Sequence, residues 1–286
     1  MADVKITMLG TGSPRPDLER SGPSQVLTID DRHILIDCGE GTTAQLMRAG
    51  IAPESIQYLF MTHLHSDHVF GYGQFLLGGW GLGRRKLTVV GPKGMKHFHE
   101  TIINLFEEDI TYRTSLGRPG NGVLDVNIIE IDESGEVSCG LPWKISAAQM
   151  VHNVLTYGYR FEIEEKTVVL SGDTAPTPAI VELSKGADIL VMDACLAPTG
   201  VYRNTKSAEL QKIWDNLQKE HCSPQQAGEI SKEAGVKTLV LTHFLPNIIE
   251  EEAKQQAAEV FGGEVIVGKD LQVITVKKSV STSAFT

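Results

Sequence analysis

Residues 60–68 read FMTHLHSDH. Three histidines (His63, His65 and His68) and Asp67 fall within six positions, directly after the apolar run Tyr58-Leu59-Phe60-Met61. Imidazole nitrogens and carboxylate oxygens are the ligands of a borderline divalent metal. Residues two apart on an extended chain share a face, so His63 and His65 converge on one ion. Asp67 and His68, past the turn, point to a second. The alternatives are a polar surface loop or a single hydrogen-bonded core histidine. Four ligand-type side chains so close together at a strand end favour the metal.

A metal centre needs further donors, and three strand ends offer them. AAQMVH ends at His152, TVVLSGD at Asp173 and TLVLTH at His243. Taken singly, a histidine in such a place is more often packed or hydrogen-bonded than a ligand, and Ser-Gly-Asp is more often a turn. Taken with the first cluster they make a coherent set of five histidines and two aspartates. No cysteine stands at any of these positions, so the expected donors are nitrogen and oxygen only. Zinc is the default ion, with manganese or iron as alternatives.

The rest of the chain is read from periodicity. VKITMLG, QVLTID and HILIDCG are three short strands separated by turn residues, and a helix over 41–49 ends at Gly50. IQYLFMTH is an apolar strand leading into the cluster, followed by a helix over 69–77. KLTVVGP is a strand and 93–107 a helix. Residues 110–125, punctuated by Gly and Pro, read as a loop. VNIIEID, WKISAAQMV, YGYRFEIEE and KTVVLSGD are strands. ADILVMDA and KTLVLTH then alternate with helices over 206–219, 224–234 and 248–260, the second with Ser223 as N-cap and Pro224 at its first position. Each half thus carries strands followed by strand–helix units. The expected fold is α/β: a four-layer α/β/β/α sandwich, one domain over residues 1–278, with 279–286 read as a disordered tail.

The 286 residues suffice for a full core. No stretch is apolar enough to span a bilayer. The opening MADVKITMLG carries no secretory signal pattern, and Cys38, Cys139, Cys195 and Cys222 show no metal or disulfide spacing. The expected setting is the cytoplasm, without membrane contact, and the expected assembly a homodimer on base rates. The net charge of −10 weighs mildly against a polyanionic substrate.

THLHSDH resembles the H-x-H-x-D-H motif of the metallo-β-lactamase superfamily. The resemblance extends through ILIDCGEG, His152, SGDT and LTHF, in order over nearly the whole chain. It is closest in look to the ribonuclease Z and arylsulfatase-like branch, through LGTGSPRP and HCSPQQAGEISKEAGVKTLVLTHF. It implies that His63, His65 and His152 hold one metal, that Asp67, His68 and His243 hold the other, and that Asp173 bridges them. Asp37 would orient the ligand loop. The chemistry implied is hydrolysis by a hydroxide shared between two metals, with Asp67 orienting or deprotonating the water and His221 protonating the leaving group.

Two departures set the expected substrate. Where the ribonuclease Z pattern has a glutamate paired with that histidine, this sequence reads MDACLAP, placing Ala194 at the expected position. Strand alternation turns Asp193 to the other face. Residues 110–125 are also too short and too weakly basic for the arm that grips tRNA. The expected partner is therefore a small-molecule ester, sulfate, phosphodiester, lactone or amide, with FLLGGWGLGRR (75–85, including Trp80) and LAPTGVYRNTKS (196–207, including Tyr202 and Arg203) as walls or lids. Processing of tRNA 3′ ends is the alternative, and a non-catalytic binding protein a second one.

Overall fold

Strand alternation decides which residues meet the core, and here most strands are buried on both faces. The computed structural model describes residues 2–202 and 206–277. The first sheet is formed by β1 (Val4–Gly10), β2 (Ser24–Ile29), β3 (Arg32–Ile36), β4 (Tyr58–Phe60), β5 (Thr88–Pro92) and β6 (Asn127–Ile131). The second holds β7 (Gly135–Glu136), β8 (Lys144–Gln149), β9 (Tyr157–Ile163), β10 (Lys166–Leu170), β11 (Ile189–Asp193), β12 (Thr238–Thr242) and β13 (Glu264–Val267). The last strand, β14 (Gln272–Thr275), returns to the first sheet beside β1, giving seven strands in each. The antiparallel run β14-β1-β2-β3 continues as parallel β3-β4-β5-β6. The second sheet repeats this pattern, antiparallel from β7 to β10 and parallel from β10 to β13.

Ile34, Ile36 and Phe60 point between the sheets, where they meet Tyr159, Phe161, Val168 and Val191. Leu35 and Leu59 point the other way, against Leu46 of α1 (Thr42–Arg48). The ligand-bearing turn α2 (Ser66–Val69) and the helix α3 (Tyr72–Leu82) follow on that side, then α4 (Met95–Leu105) and α5 (Glu107–Ser115). On the other side, Val169, Leu190, Met192, Leu239 and Leu241 face α6 (Pro178–Leu183), α8 (Pro224–Ala234) and α9 (Glu250–Phe261). Between α6 and α8 in the chain lies α7 (Ala208–Leu217), whose Leu210, Ile213 and Trp214 pack on Tyr202. The expected α/β/β/α sandwich is the observed fold.

Several elements differ from expectation. Residues 110–115 are helical, because Glu107, Glu108 and Asp109 occupy the first turn of α5 and Ile110 is buried, with acidic groups favoured at that end. The punctuation that suggested a loop starts only at Gly117. The stretch 75–85 is not a lid. Tyr72, Phe75, Leu76, Gly79 and Trp80 follow helical spacing and are buried in α3, with Trp80 Nε1 donating to the Pro119 carbonyl at 2.8 Å. Arg84 is buried too and donates to the Phe75 and Leu76 carbonyls. Tyr202 is also turned inward, its hydroxyl accepting from Arg15 at 2.9 Å. Arg203 and the tail 279–286 lie outside the described residues. Among those described, no helix is long and apolar enough to cross a membrane.

Phe60 locks the two sheets. It is fully buried and packs edge-on against Tyr159 and Phe161, with ring centroids 5.2 Å away in both cases. Just beyond it, the chain leaves the first sheet and binds the second: the Tyr159 hydroxyl donates to the Met61 carbonyl at 2.7 Å, and the Tyr157 N–H to that of Thr62 at 2.9 Å. Phe60→Ala is expected to cost about 3–5 kcal/mol, read as a lowered midpoint in denaturant unfolding.

Candidate metal centre

The histidine cluster sits where the parallel strands of both sheets end, the usual place for sites in α/β sheets. Residues 63–68 follow β4, Asp37 follows β3, Asp173 follows β10, Asp193 ends β11 and His243 follows β12. His152 comes from the exposed loop after β8. All seven expected ligand residues are brought together. His63, His65, His152 and Asp173 present ligand atoms within 4.8 Å of one another, and so do Asp67, His68 and His243. Asp173 stands between the groups, 3.7 Å from His63 Nε2, 3.4 Å from His68 Nε2 and 3.2 Å from His243 Nε2.

Backbone strain helps to aim these groups. Asp37 (φ 56°) and His243 (φ 64°) both adopt the left-handed region, which costs energy for residues with a side chain and tends to persist at functional sites. Gly39 lies so close to the ligand turn that a Cβ there would stand 2.4 Å from the Asp67 carbonyl oxygen.

Hydrogen bonds fix which imidazole nitrogen is free. The His68 Nδ1–H donates to Asp37 Oδ2 at 2.8 Å. Asp37 also accepts from the Thr62 N–H (2.8 Å) and hydroxyl (2.9 Å). That hydroxyl, already donating, accepts from His63 Nδ1–H at 3.0 Å. The Nδ1–H of His152 donates to the Glu220 carbonyl at 3.1 Å. Each ring therefore turns its Nε2 to the centre, as metal-binding histidines do. The Nε2 atoms of His63 and His68 are buried without a hydrogen-bond partner among the described residues, an uncommon and costly state.

The charges agree with this reading. Burial keeps His63 well below the ordinary histidine range, leaving it neutral and able to coordinate. Burial also lowers His68, but Asp173, Asp37 and Asp67 overcome it and push the ring up to about 10. For Asp173, burial opposes the charge, and His243, His68 and His63 outweigh it and hold the carboxyl well below the usual range. Buried carboxylates this dense need cationic partners. Two divalent ions fit the free nitrogens and the charge together.

Beside the cluster, His221 Nδ1–H donates to Asp193 Oδ2 at 2.8 Å. Burial lowers His221, yet Asp193 raises it above the ordinary value. The carboxylate is itself held by the N–H groups of Thr174 (3.1 Å) and Cys195 (2.8 Å). This overturns the expectation that His221 lacks a partner. Ile189 and Val191 face the inter-sheet core, whereas Leu190, Met192 and Ala194 face the helices. Asp193 shares the parity of Ile189 and Val191, so alternation turns it toward the site, and Ala194 away. Cys195 was also overlooked: its sulfur lies within 4.8 Å of ligand atoms of His221 and His243.

A sequence signature described as the β-lactamase superfamily domain matches residues 32–244. The chain belongs to the β-lactamase superfamily. It is 33% identical over 287 residues to the ribonuclease Z of Mycobacterium marinum (strain ATCC BAA-535 / M), across 96% of this chain and 99% of that one. Among solved structures it is similar to YhfI, a metallo-β-lactamase fold protein from Bacillus subtilis, with a TM-score of 0.77, 21% identity and coverage of 96% and 100%. It is also similar to the short form of human tRNase Z, with a TM-score of 0.71, 24% identity and coverage of 96% and 99%. The protein is a metal-dependent hydrolase of metallo-β-lactamase fold.

The ribonuclease Z relative corrects the expected small-molecule substrate, since its name is that of an enzyme acting on RNA. Its three supports also weaken physically. Net charge sums the whole surface and does not give the field at one site, the stretch 110–125 is partly helix, and Asp193 supplies the carboxylate thought missing. Asp37→Asn, which retains shape but removes the charge facing His68, is expected to weaken metal binding about 10–100-fold in a competitive chelator titration.

Proposed function

We propose that this protein is an endoribonuclease of the ribonuclease Z type that removes 3′ extensions from tRNA. The observation that carries the reading is the His221–Asp193 pair beside a donor set for two divalent ions, on a chain similar to a ribonuclease Z over almost its whole length. Residues 1–278 act as one catalytic unit, in the cytoplasm.

In this reading His63, His65, His152 and Asp173 hold one ion, and Asp67, His68, His243 and Asp173 the other, with zinc the first choice for an all-nitrogen-and-oxygen set. When bound, such a pair supplies hydroxide near neutral pH and polarises the phosphate. The chain's own groups do the rest. Asp67 meets His68 and His243 through Oδ2, at 3.5 and 3.2 Å, and orients the attacking water. His221, held charged by Asp193, gives its proton to the departing 3′ oxygen of the tRNA body, leaving a 3′-hydroxyl there and a 5′-phosphate on the released trailer. Asp193 keeps the ring oriented and stabilises its charged form.

The deciding assay incubates metal-loaded protein with a 3′-extended tRNA and maps the products. Endonucleolytic release of the trailer is expected, and intact RNA under conditions where a chromogenic phosphodiester is hydrolysed would refute the substrate assignment. Asp173→Ala is expected to lose both bound metal, by elemental analysis, and turnover. His221→Ala is expected to retain metal and slow cleavage about 100-fold or more. Because an acid acts only while protonated, the wild-type rate should fall as pH rises through the raised His221 value, and this alkaline limb should flatten in His221→Ala.

A further inference from the structure

One carboxylate beside the centre has no part in this chemistry. Glu220 lies in the turn that ends α7, where its N–H and that of His221 both donate to the Leu217 carbonyl (3.1 and 3.0 Å). Its own carbonyl accepts from His152, and its Oε2 accepts from Asn153 Nδ2 at 2.7 Å. The side chain is thus fixed from the loop that carries His152. Ligand atoms of Glu220, His152 and His221 lie within 4.8 Å of one another. Among the described residues no lysine or arginine pairs with Glu220.

A carboxylate here repels the phosphates of an RNA substrate, so its placement asks for a compensating contact. An ionised carboxylate only accepts hydrogen bonds, and hydroxyl donors give it short, strong ones. RNA carries one hydroxyl adjacent to a leaving 3′ oxygen, the 2′-hydroxyl of the same ribose. If His221 serves that 3′ oxygen, the neighbouring hydroxyl falls beside the ring. Two protein groups within 4.8 Å of each other can each reach one of two adjacent ribose oxygens at about 2.8 Å.

We infer that Glu220 accepts a hydrogen bond from the 2′-hydroxyl of the nucleotide on the 5′ side of the scissile phosphate, and so selects ribose over deoxyribose there. A 2′-hydroxyl is the group by which a protein tells RNA from DNA at a given position. The inference rests on the ribonuclease reading above and adds the residue that reads the sugar.

The test compares single-turnover cleavage of a 3′-extended tRNA with the same RNA carrying one 2′-deoxynucleotide at that position. Wild type should cleave the deoxy substrate about tenfold more slowly or worse, the loss for a hydrogen bond to a charged group. Glu220→Ala should cleave the all-ribose RNA correspondingly slowly and show no further loss on the deoxy one. Glu220→Gln, which keeps an acceptor oxygen, should restore most of the discrimination, and bound metal should be equal in all three proteins. Equal wild-type rates on both substrates overturn the inference, as does discrimination persisting in Glu220→Ala or metal lost from that variant. A 2′,3′-cyclic phosphate end would also overturn it, by showing that the carboxylate drives internal attack. If wild type leaves the all-ribose RNA intact, the ribonuclease reading itself falls. Cleavage without sugar discrimination removes Glu220 alone.

Discussion

The carboxylate of Asp173 lies within 4 Å of four imidazole rings: 3.2 Å from His243, 3.4 Å from His68, 3.7 Å from His63 and 3.9 Å from His152. It is carried by the second sheet, as are His152 and His243, whereas His63, His65, Asp67 and His68 follow a strand of the first. Neither sheet holds a complete donor set. The centre exists only because the sheets pack at a fixed spacing, which the Phe60, Tyr159 and Phe161 rings define. The hydrogen bonds from Tyr157 and Tyr159 to the backbone just before His63 carry that spacing directly into the ligand turn. Interiors pack tightly and transmit displacement, so a void in this core is felt at the metal donors.

The rings are arranged as a stack as well as a cage. His243 is stacked between His68 and His221, with centroids 5.3 Å away on each side. Asp193 spans His221 and His243: one oxygen accepts from His221 and the other lies 3.8 Å from His243 Nδ1. A single buried carboxylate thereby fixes His221 relative to His243. Most of this machinery sits on strand ends, which are rigid. His152 alone among the seven lies in an exposed loop, and its ring is steadied by Glu220 across the chain.

Local sequence made a large part of this visible. The order of strands and strand–helix units in each half pointed to layered sheets, and the continuous apolar runs ILVMD and TLVLT are strands buried almost throughout. Ser223 and Pro224 marked the start of α8, where a capping box forms with Gln226. FMTHLHSDH stood out because four ligand-type side chains so close together have few other uses. In each case the relevant partner is a few residues away, or the pattern repeats with the period of the element itself.

The sequence by itself determined the layer architecture and picked out the seven candidate ligand residues that the fold brings together. It did not determine which face of β11 looks into the site, that Trp80 is core rather than lid, or that Asn153 and Glu220 meet across 67 positions. Periodicity states that a residue is on one of two faces, but only packing against the other sheet or a helix gives that face a name. Contacts between distant segments follow from the closing of the sandwich, because two polar side chains attract at hydrogen-bond range and leave no periodic trace in the chain.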